Sequence, residues 1–174
     1  RQMCIRDRGM QLIDEERLLK IMAVFEGLET TLASGGSAAN AVSGVTRMGV
    51  SGGFIGKIGR DAYGRFFRED MERNGVKTSL IESDQASGCA MTLITPDGER
   101  TFGTFLGAAS TLSADELTPE MFAGYDLLHI EGYLVQDEAL ILRAVQLAKE
   151  LGLQVSFDMA SYNVCLLYTS PSPR

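Results

Sequence analysis

The sequence predicts an α/β fold with a mainly parallel sheet and an appended β-hairpin. Three observations point there. Short apolar runs alternate with stretches whose apolar residues recur at helical spacing. Residues 126–158 read as a complete strand–helix–strand unit. One pair of runs flanks Pro96-Asp97-Gly98-Glu99, the composition of a hairpin turn.

Taken in order, residues 14–26 read as a helix whose apolar face is Leu18, Leu19, Met22 and Phe25. Asp14, Glu15 and Glu16 suit the positive end of its dipole. Gly35-Gly36-Ser37-Ala38-Ala39-Asn40 then reads as a tight glycine turn feeding a second helix that ends near Gly49. Residues 53–59 form a short strand and turn. Asp61 caps a helix over 62–74, with Gly75 as its stop. Residues 89–95 and 100–105 are the two arms of the hairpin. Residues 126–131 have a buried-strand pattern. Leu140, Ala144, Leu147 and Leu151 give the next helix a wide apolar face, as a crossover helix lying on a sheet requires. Gly152 ends it, and residues 153–158 are the following strand.

The two ends differ in character from the middle. Met3-Cys4-Ile5-Arg6-Asp7 and Cys165-Leu166-Leu167-Tyr168-Thr169-Ser170 can be encoded by reverse-complementary DNA read in offset frames. Both strings resemble translations of the transposase mosaic-end adapter of sequencing libraries. Residues 1–8 and 165–174 are therefore expected to be adapter-derived tails, and the fold is read from residues 9–164.

Without those tails the 16 basic residues lose four and the 23 acidic residues lose one, leaving a net charge of −10. Such an acidic domain does not suit nucleic acid or a membrane surface as partner. No apolar run approaches the roughly 20 residues of a spanning helix. Cys89 is the one cysteine left of three, which excludes an internal disulfide over 9–164 and fits a reducing, cytoplasmic setting.

Familiar phosphate and metal motifs are absent. There is no G-x-G-x-x-G, and the stretch from Gly53 to Lys57 has too short a glycine spacing for a P-loop, with Ile58 where a hydroxyl is needed. One histidine and one cysteine make no zinc site, and no metal ligands are expected. His129 falls inside a predicted buried strand and reads as a satisfied core histidine.

The candidate binding residues are of another kind. Gly35 and Gly36 let backbone approach a ligand closely, and Asn40 offers both a donor and an acceptor to a hydroxylated ligand. Ligands of open α/β sheets bind beyond the carboxyl ends of the strands, where Glu131 and Asp158 fall. Each of these acids also has a plain reading as a helix cap or surface charge. Arg100, leaving the hairpin turn, is a solvated charge or a contact for an anionic substrate.

These residues carry a resemblance. The stretch from Gly35 to Asn40, then Gly49, then Gly56-Lys57-Ile58-Gly59-Arg60-Asp61-Ala62-Tyr63-Gly64, resembles the first signature of the ribokinase-like (PfkB) carbohydrate kinases. The hairpin and Gly107-Ala108-Ala109 extend the resemblance over nearly all of residues 9–164. The Gly-Gly-Ser form of the turn is most similar to adenosine-kinase-like members, although Val42 departs from the small or hydroxyl residue usual there.

The resemblance implies a ribokinase-like three-layer α/β/α fold with a small β lid formed by a hairpin at about 88–106, present here as an incomplete, N-terminal part of the domain. It implies ATP-dependent phosphorylation, with magnesium, of a primary hydroxyl on a small-molecule sugar or nucleoside. Gly35, Gly36 and Asn40 would hold sugar hydroxyls, and Glu131 matches an acid that bonds the sugar. Arg100 and Asp158 are further candidates. The first strand, with its usual sugar-binding aspartate, would lie upstream of Gly9. The catalytic base, an aspartate in a Gly-Ala-Gly-Asp motif, does not occur in the 174 residues and would lie beyond Val164, with the nucleotide site. The expectation is a chain that is inactive by itself. A ribokinase- or fructokinase-type enzyme and a noncatalytic sugar-binding module are the alternatives. The acceptor and the oligomeric state stay open.

Overall fold

The computed structural model describes residues 10–158, so the expected tails at 1–8 and 165–174 lie outside the described residues. In chain order the elements are β1 (Met10–Leu12), α1 (Glu15–Val24), α2 (Ser37–Arg47), β2 (Gly52–Gly59), α3 (Ala62–Arg73), β3 (Val76–Ser83), β4 (Cys89–Ile94), β5 (Arg100–Phe105), β6 (Leu127–Ile130), α4 (Glu138–Glu150) and β7 (Gln154–Phe157). Short 3-10 turns fill the stretch between β5 and β6 and follow β6.

Two strand–helix–strand units form the body. β2 and β3 pair in parallel around α3, with Gly52 opposite Val76 and Gly59 opposite Ser83. β6 and β7 pair in parallel around α4, with Leu127 opposite Gln154. Successive strand residues point to opposite faces, and β2 uses both. Phe54 packs with Val42 and Phe67 on the buried Ala39, Met71 and Val76. Its neighbour Ile55 packs with Leu128 and Ala144 around Phe122, Leu140, Leu147 and Ala148. Helices α2 and α3 thus cover one face and α4 the other, which is the expected α/β/α layering. Full burial of a side chain such as Phe122 contributes about 1.5–3 kcal/mol.

The mainly parallel sheet consists of two separately hydrogen-bonded pairs, β2–β3 and β6–β7, and the appended sheet is β1–β5–β4. The strand β3 was not expected. Its sequence, Val76-Lys77-Thr78-Ser79-Leu80-Ile81-Glu82-Ser83, is too polar to show a clear alternation, and pairing with β2 along its length makes it a strand.

The appended sheet is larger than a hairpin. β4 and β5 form the antiparallel hairpin that the turn signal predicts, in a register that sets Met91 opposite Gly103, with Gly98 at φ +84 in the turn. To these strands β1 adds a parallel third, Met10 opposite Phe102 and Leu12 opposite Thr104. Helix α1 packs beside it: Ile13 and Ile21 reach the space over Gly103. The helix is shorter than residues 14–26, ending at Val24, and its buried residues are Leu18 and Ile21, whereas Leu19 points outward at 58% exposure. The outward turn of Leu19 follows from which side of α1 meets the sheet.

His129 is also corrected. It is exposed, and Leu127 on the same side of β6 is 54% exposed. The apolar run from Leu127 to Ile130 packs through its alternate residues, Leu128 and Ile130, so its pattern reads as buried on both sides while the fold buries one.

Candidate functional site

Helix α2 begins at a backbone position that only glycine adopts readily. Gly36, its N-cap, has φ +106, and no side chain caps the helix there. The next residue, Ser37, donates its hydroxyl to the carboxylate Oε1 of Glu131, a contact across 94 residues of sequence. Glu131 follows β6 directly and enters the 3-10 turn Gly132–Gln136. The carboxyl end of β6 therefore meets the amino end of α2. The helix dipole favours an anion at that end, and Glu131 supplies it.

Asn40 lies one turn into α2, with its amide nitrogen bonded to the Gly36 carbonyl at 2.9 Å. Its side chain is exposed and takes no hydrogen bond among the described residues, so donor and acceptor both remain available. One residue before the glycine pair, the Ser34 hydroxyl oxygen is buried and has no hydrogen-bond partner among the described residues.

Asp158, at the end of β7, is brought to the same place. Its Oδ1 accepts from the Gly132 amide at 3.0 Å, and its Oδ2 lies 3.6 Å from His129 Nε2. The other ring nitrogen of His129, Nδ1, is 3.0 Å from Ser156 Oγ. Glu131 and Asp158 are thus brought together with the start of α2, where Gly35 and Gly36 form the turn and Asn40 lies one turn further along the helix. Arg100 does not join them. It is exposed at the start of β5, opposite Ile94, and bonds to none of them.

Sequence reasoning passed over Ser37. Its place directly after the two glycines was the available signal, but nothing in the sequence pairs it with a residue near position 131.

The segment from Gly56 to Gly64 has a supporting part. Lys57 Nζ bonds Glu116 at 2.6 Å and the Thr111 carbonyl at 3.1 Å, so it is committed to the fold and not to a phosphate. The Lys57 ammonium holds the Glu116 carboxyl below its ordinary range. Asp61 caps α3 by accepting from the Gly64 amide at 2.8 Å. It also accepts from the Ser87 amide at 2.7 Å and the Ser87 hydroxyl at 2.8 Å. Partial burial pushes the Asp61 carboxyl up, but the hydrogen bonds from Ser87 and Gly64 outweigh it and hold the group below the usual range.

A cavity of about 760 Å3 opens beside this support, where Glu15, Arg60, Asp84, Phe105 and Ser110 meet. None of the predicted binding residues lines it, and Gly35, Gly36 and Asn40 lie instead on exposed surface.

Among the described residues no group of three or more His, Cys, Asp or Glu side chains is arranged to hold a metal ion. The glycine-led start of α2 already faces the Glu131 carboxylate. These residues do not fit a magnesium–triphosphate group. No helix among them is long and apolar enough to cross a membrane.

The layered fold sets a polar cluster at the carboxyl ends of β6 and β7, beside the start of α2. The profile of the pfkB family carbohydrate kinases matches residues 8–164, and the chain belongs to that family. It is 31% identical over 157 residues to fructokinase-1 of Zea mays, covering 86% of this chain and 49% of that protein. It is 34% identical over 132 residues to the fructokinase of Klebsiella pneumoniae, covering 71% and 42%. Among solved structures, a probable sugar kinase of Rhizobium etli superposes with a TM-score of 0.81 at 27% identity, covering 93% of this chain and 50% of that one. The adenosine kinase of Sinorhizobium meliloti gives 0.79 at 26% identity, again over 93% and 50%. The chain spans about half the length of the relatives it matches.

Proposed function

We propose that this chain carries the acceptor-binding part of an ATP-dependent kinase that phosphorylates a primary hydroxyl of a nucleoside or sugar, adenosine-kinase-like in its acceptor. The observation that carries the reading is the contact of Glu131 with Ser37 at the start of α2. A carboxylate at a helix N-terminus repels a phosphate but accepts hydrogen bonds from neutral hydroxyls. Gly35 and Gly36 give a polyol close access to backbone, and the exposed Asn40 amide bonds a second hydroxyl. The orphaned Ser34 hydroxyl supports the same reading, because an unpaired buried oxygen costs about 1–3 kcal/mol that a ligand partner recovers. Arg100, outside this group, would meet a ligand only through movement of the appended sheet, which would act as the lid and exclude water.

ATP, with magnesium, would supply the phosphoryl group, but no step is assigned to the described residues. No Gly-Ala-Gly-Asp occurs in the 174 residues. The base and nucleotide site belong to the remainder of a whole kinase, beyond Val164, and residues 9–164 by themselves transfer no phosphate. The setting is cytoplasmic, with no nucleic acid or membrane partner.

A second reading has its own support: the Zea mays and Klebsiella pneumoniae relatives are named fructokinases. Calorimetric titration of the purified chain with adenosine and with D-fructose separates the two. Binding of either that is lost in Glu131→Ala supports the site. Binding that survives this change refutes it. Turnover of ATP with either acceptor by the 174-residue chain refutes the assignment of chemistry to other residues.

A further inference from the structure

Glu131 is held from two directions, by residues on two different elements. Its carboxylate receives the Ser37 hydroxyl from α2. The peptide immediately after it is fixed by Asp158, whose Oδ1 accepts the Gly132 amide at 3.0 Å, while the Asp158 amide donates to the Ile130 carbonyl at 3.2 Å. Residues 130 and 132 are thus both tied to Asp158, and the residue between them is free to move only at its side chain. That side chain is then fixed by Ser37.

We propose that Ser37 and Asp158 are positioning residues, which preorganise Glu131 to accept a hydroxyl of the acceptor. The inference rests on the functional reading above and deepens it. Ser37 occupies Oε1, leaving Oε2 for the ligand, so one carboxylate oxygen sets the direction of the other. Asp158 acts through backbone: its Oδ1 is engaged by the Gly132 amide, and its Oδ2 lies beside His129. It therefore has a different part from the direct ligand contact that its place at a strand end suggests. Preorganisation of this kind improves binding by removing the cost of ordering a flexible glutamate when ligand arrives.

The test uses adenosine and D-fructose as probes on the whole chain. Ser37→Ala weakens binding about tenfold, the loss of one hydrogen bond to a charged group. Ser37→Thr, which keeps the hydroxyl, restores binding to within about twofold, a rescue that a merely structural role would not give. In a Glu131→Gln background Ser37→Ala costs little more, because the two act through one group. Unchanged affinity in Ser37→Ala, or full additivity with Glu131→Gln, overturns the part given to Ser37.

Asp158 is tested without ligand. Hydrogen exchange at the Gly132 amide accelerates in Asp158→Ala and stays slow in Asp158→Asn, whose amide oxygen can still accept. Equal exchange in all three proteins overturns the brace. If the wild-type chain binds neither probe, the functional reading fails, and Gly132 exchange still decides whether Asp158 holds the peptide after Glu131.

Discussion

Asp61 and Ser87 are joined twice: Asp61 Oδ2 accepts the Ser87 amide at 2.7 Å and Oδ1 accepts the Ser87 hydroxyl at 2.8 Å. The same hydroxyl oxygen accepts the Gly59 amide at 2.8 Å. The end of β2, the start of α3 and the chain entering β4 are thereby fastened at one point. Replacing Asp61 by Ala removes a helix cap and takes the acceptor from the Ser87 amide, at a cost of about 2–3 kcal/mol. A urea denaturation series measures it. A loss below about 0.5 kcal/mol would show that the junction is held by other contacts.

The carboxyl of Asp61 is held below its ordinary range in the folded chain, so the unfolded chain binds its proton more readily. The stability it contributes is complete above the unfolded value, near pH 4, and is lost as pH falls through the lower folded value. Glu116 shifts in the same direction. Denaturation midpoints should therefore fall steeply below about pH 4. Asp61→Asn, which still caps the helix, should flatten that fall; an unchanged profile would remove Asp61 from the acid response.

Lys57 is 12% exposed and Glu116 28%, so their pair is partly shielded from water. Lys57→Ala removes the donor shared by Glu116 Oε1 and the Thr111 carbonyl and should cost about 2 kcal/mol. Lys57→Met keeps the apolar stem and should cost less. Thermal melts of the two variants rank them, and equal costs would mean that the charge contributes and the stem does not.

Gly64 is packed so closely that an added Cβ would stand 2.2 Å from the Gly59 carbonyl oxygen, which is backbone and cannot move aside. Gly64→Ala should fail to fold or melt at much lower temperature. At Gly36 a Cβ would meet nothing within 4 Å, so the cost of Gly36→Ala is the positive φ alone, about 1–2 kcal/mol. That variant should fold and lose affinity for adenosine or D-fructose. A Gly36→Ala chain binding as tightly as wild type would remove the turn from the site.

Burial pushes the Cys89 thiol up, lowering its thiolate fraction near neutrality. In a Cys4→Ser/Cys165→Ser background, Cys89 should react with iodoacetamide more slowly than free cysteine at pH 7.5, and reach the free rate on denaturation. Equal rates before and after denaturation would contradict its burial.

Much of this was legible in the chain. The hairpin followed from Pro96-Asp97-Gly98-Glu99, α3 from Asp61 and Gly75, and α4 from its apolar face, because each of these signals is local. Strands β1 and β3 were not legible. Three residues of β1 and the polar run of β3 become strands through hydrogen bonds to β5 and β2, which no local pattern announces. The exposure of His129 was misread for a related reason: an apolar run does not say how many of its faces the fold covers.

The sequence by itself determined the alternation of helices and strands, the glycine turn at Gly35 and Gly36, and the family. Tertiary structure alone decided that Glu131 meets Ser37 and that Asp158 turns inward to the Gly132 amide while Arg100 stays apart. The physical reason is distance along the chain. Turn and helix preferences act over a few residues, whereas a contact across 94 residues exists only once β6 and α2 have been set side by side by the packing of the sheet.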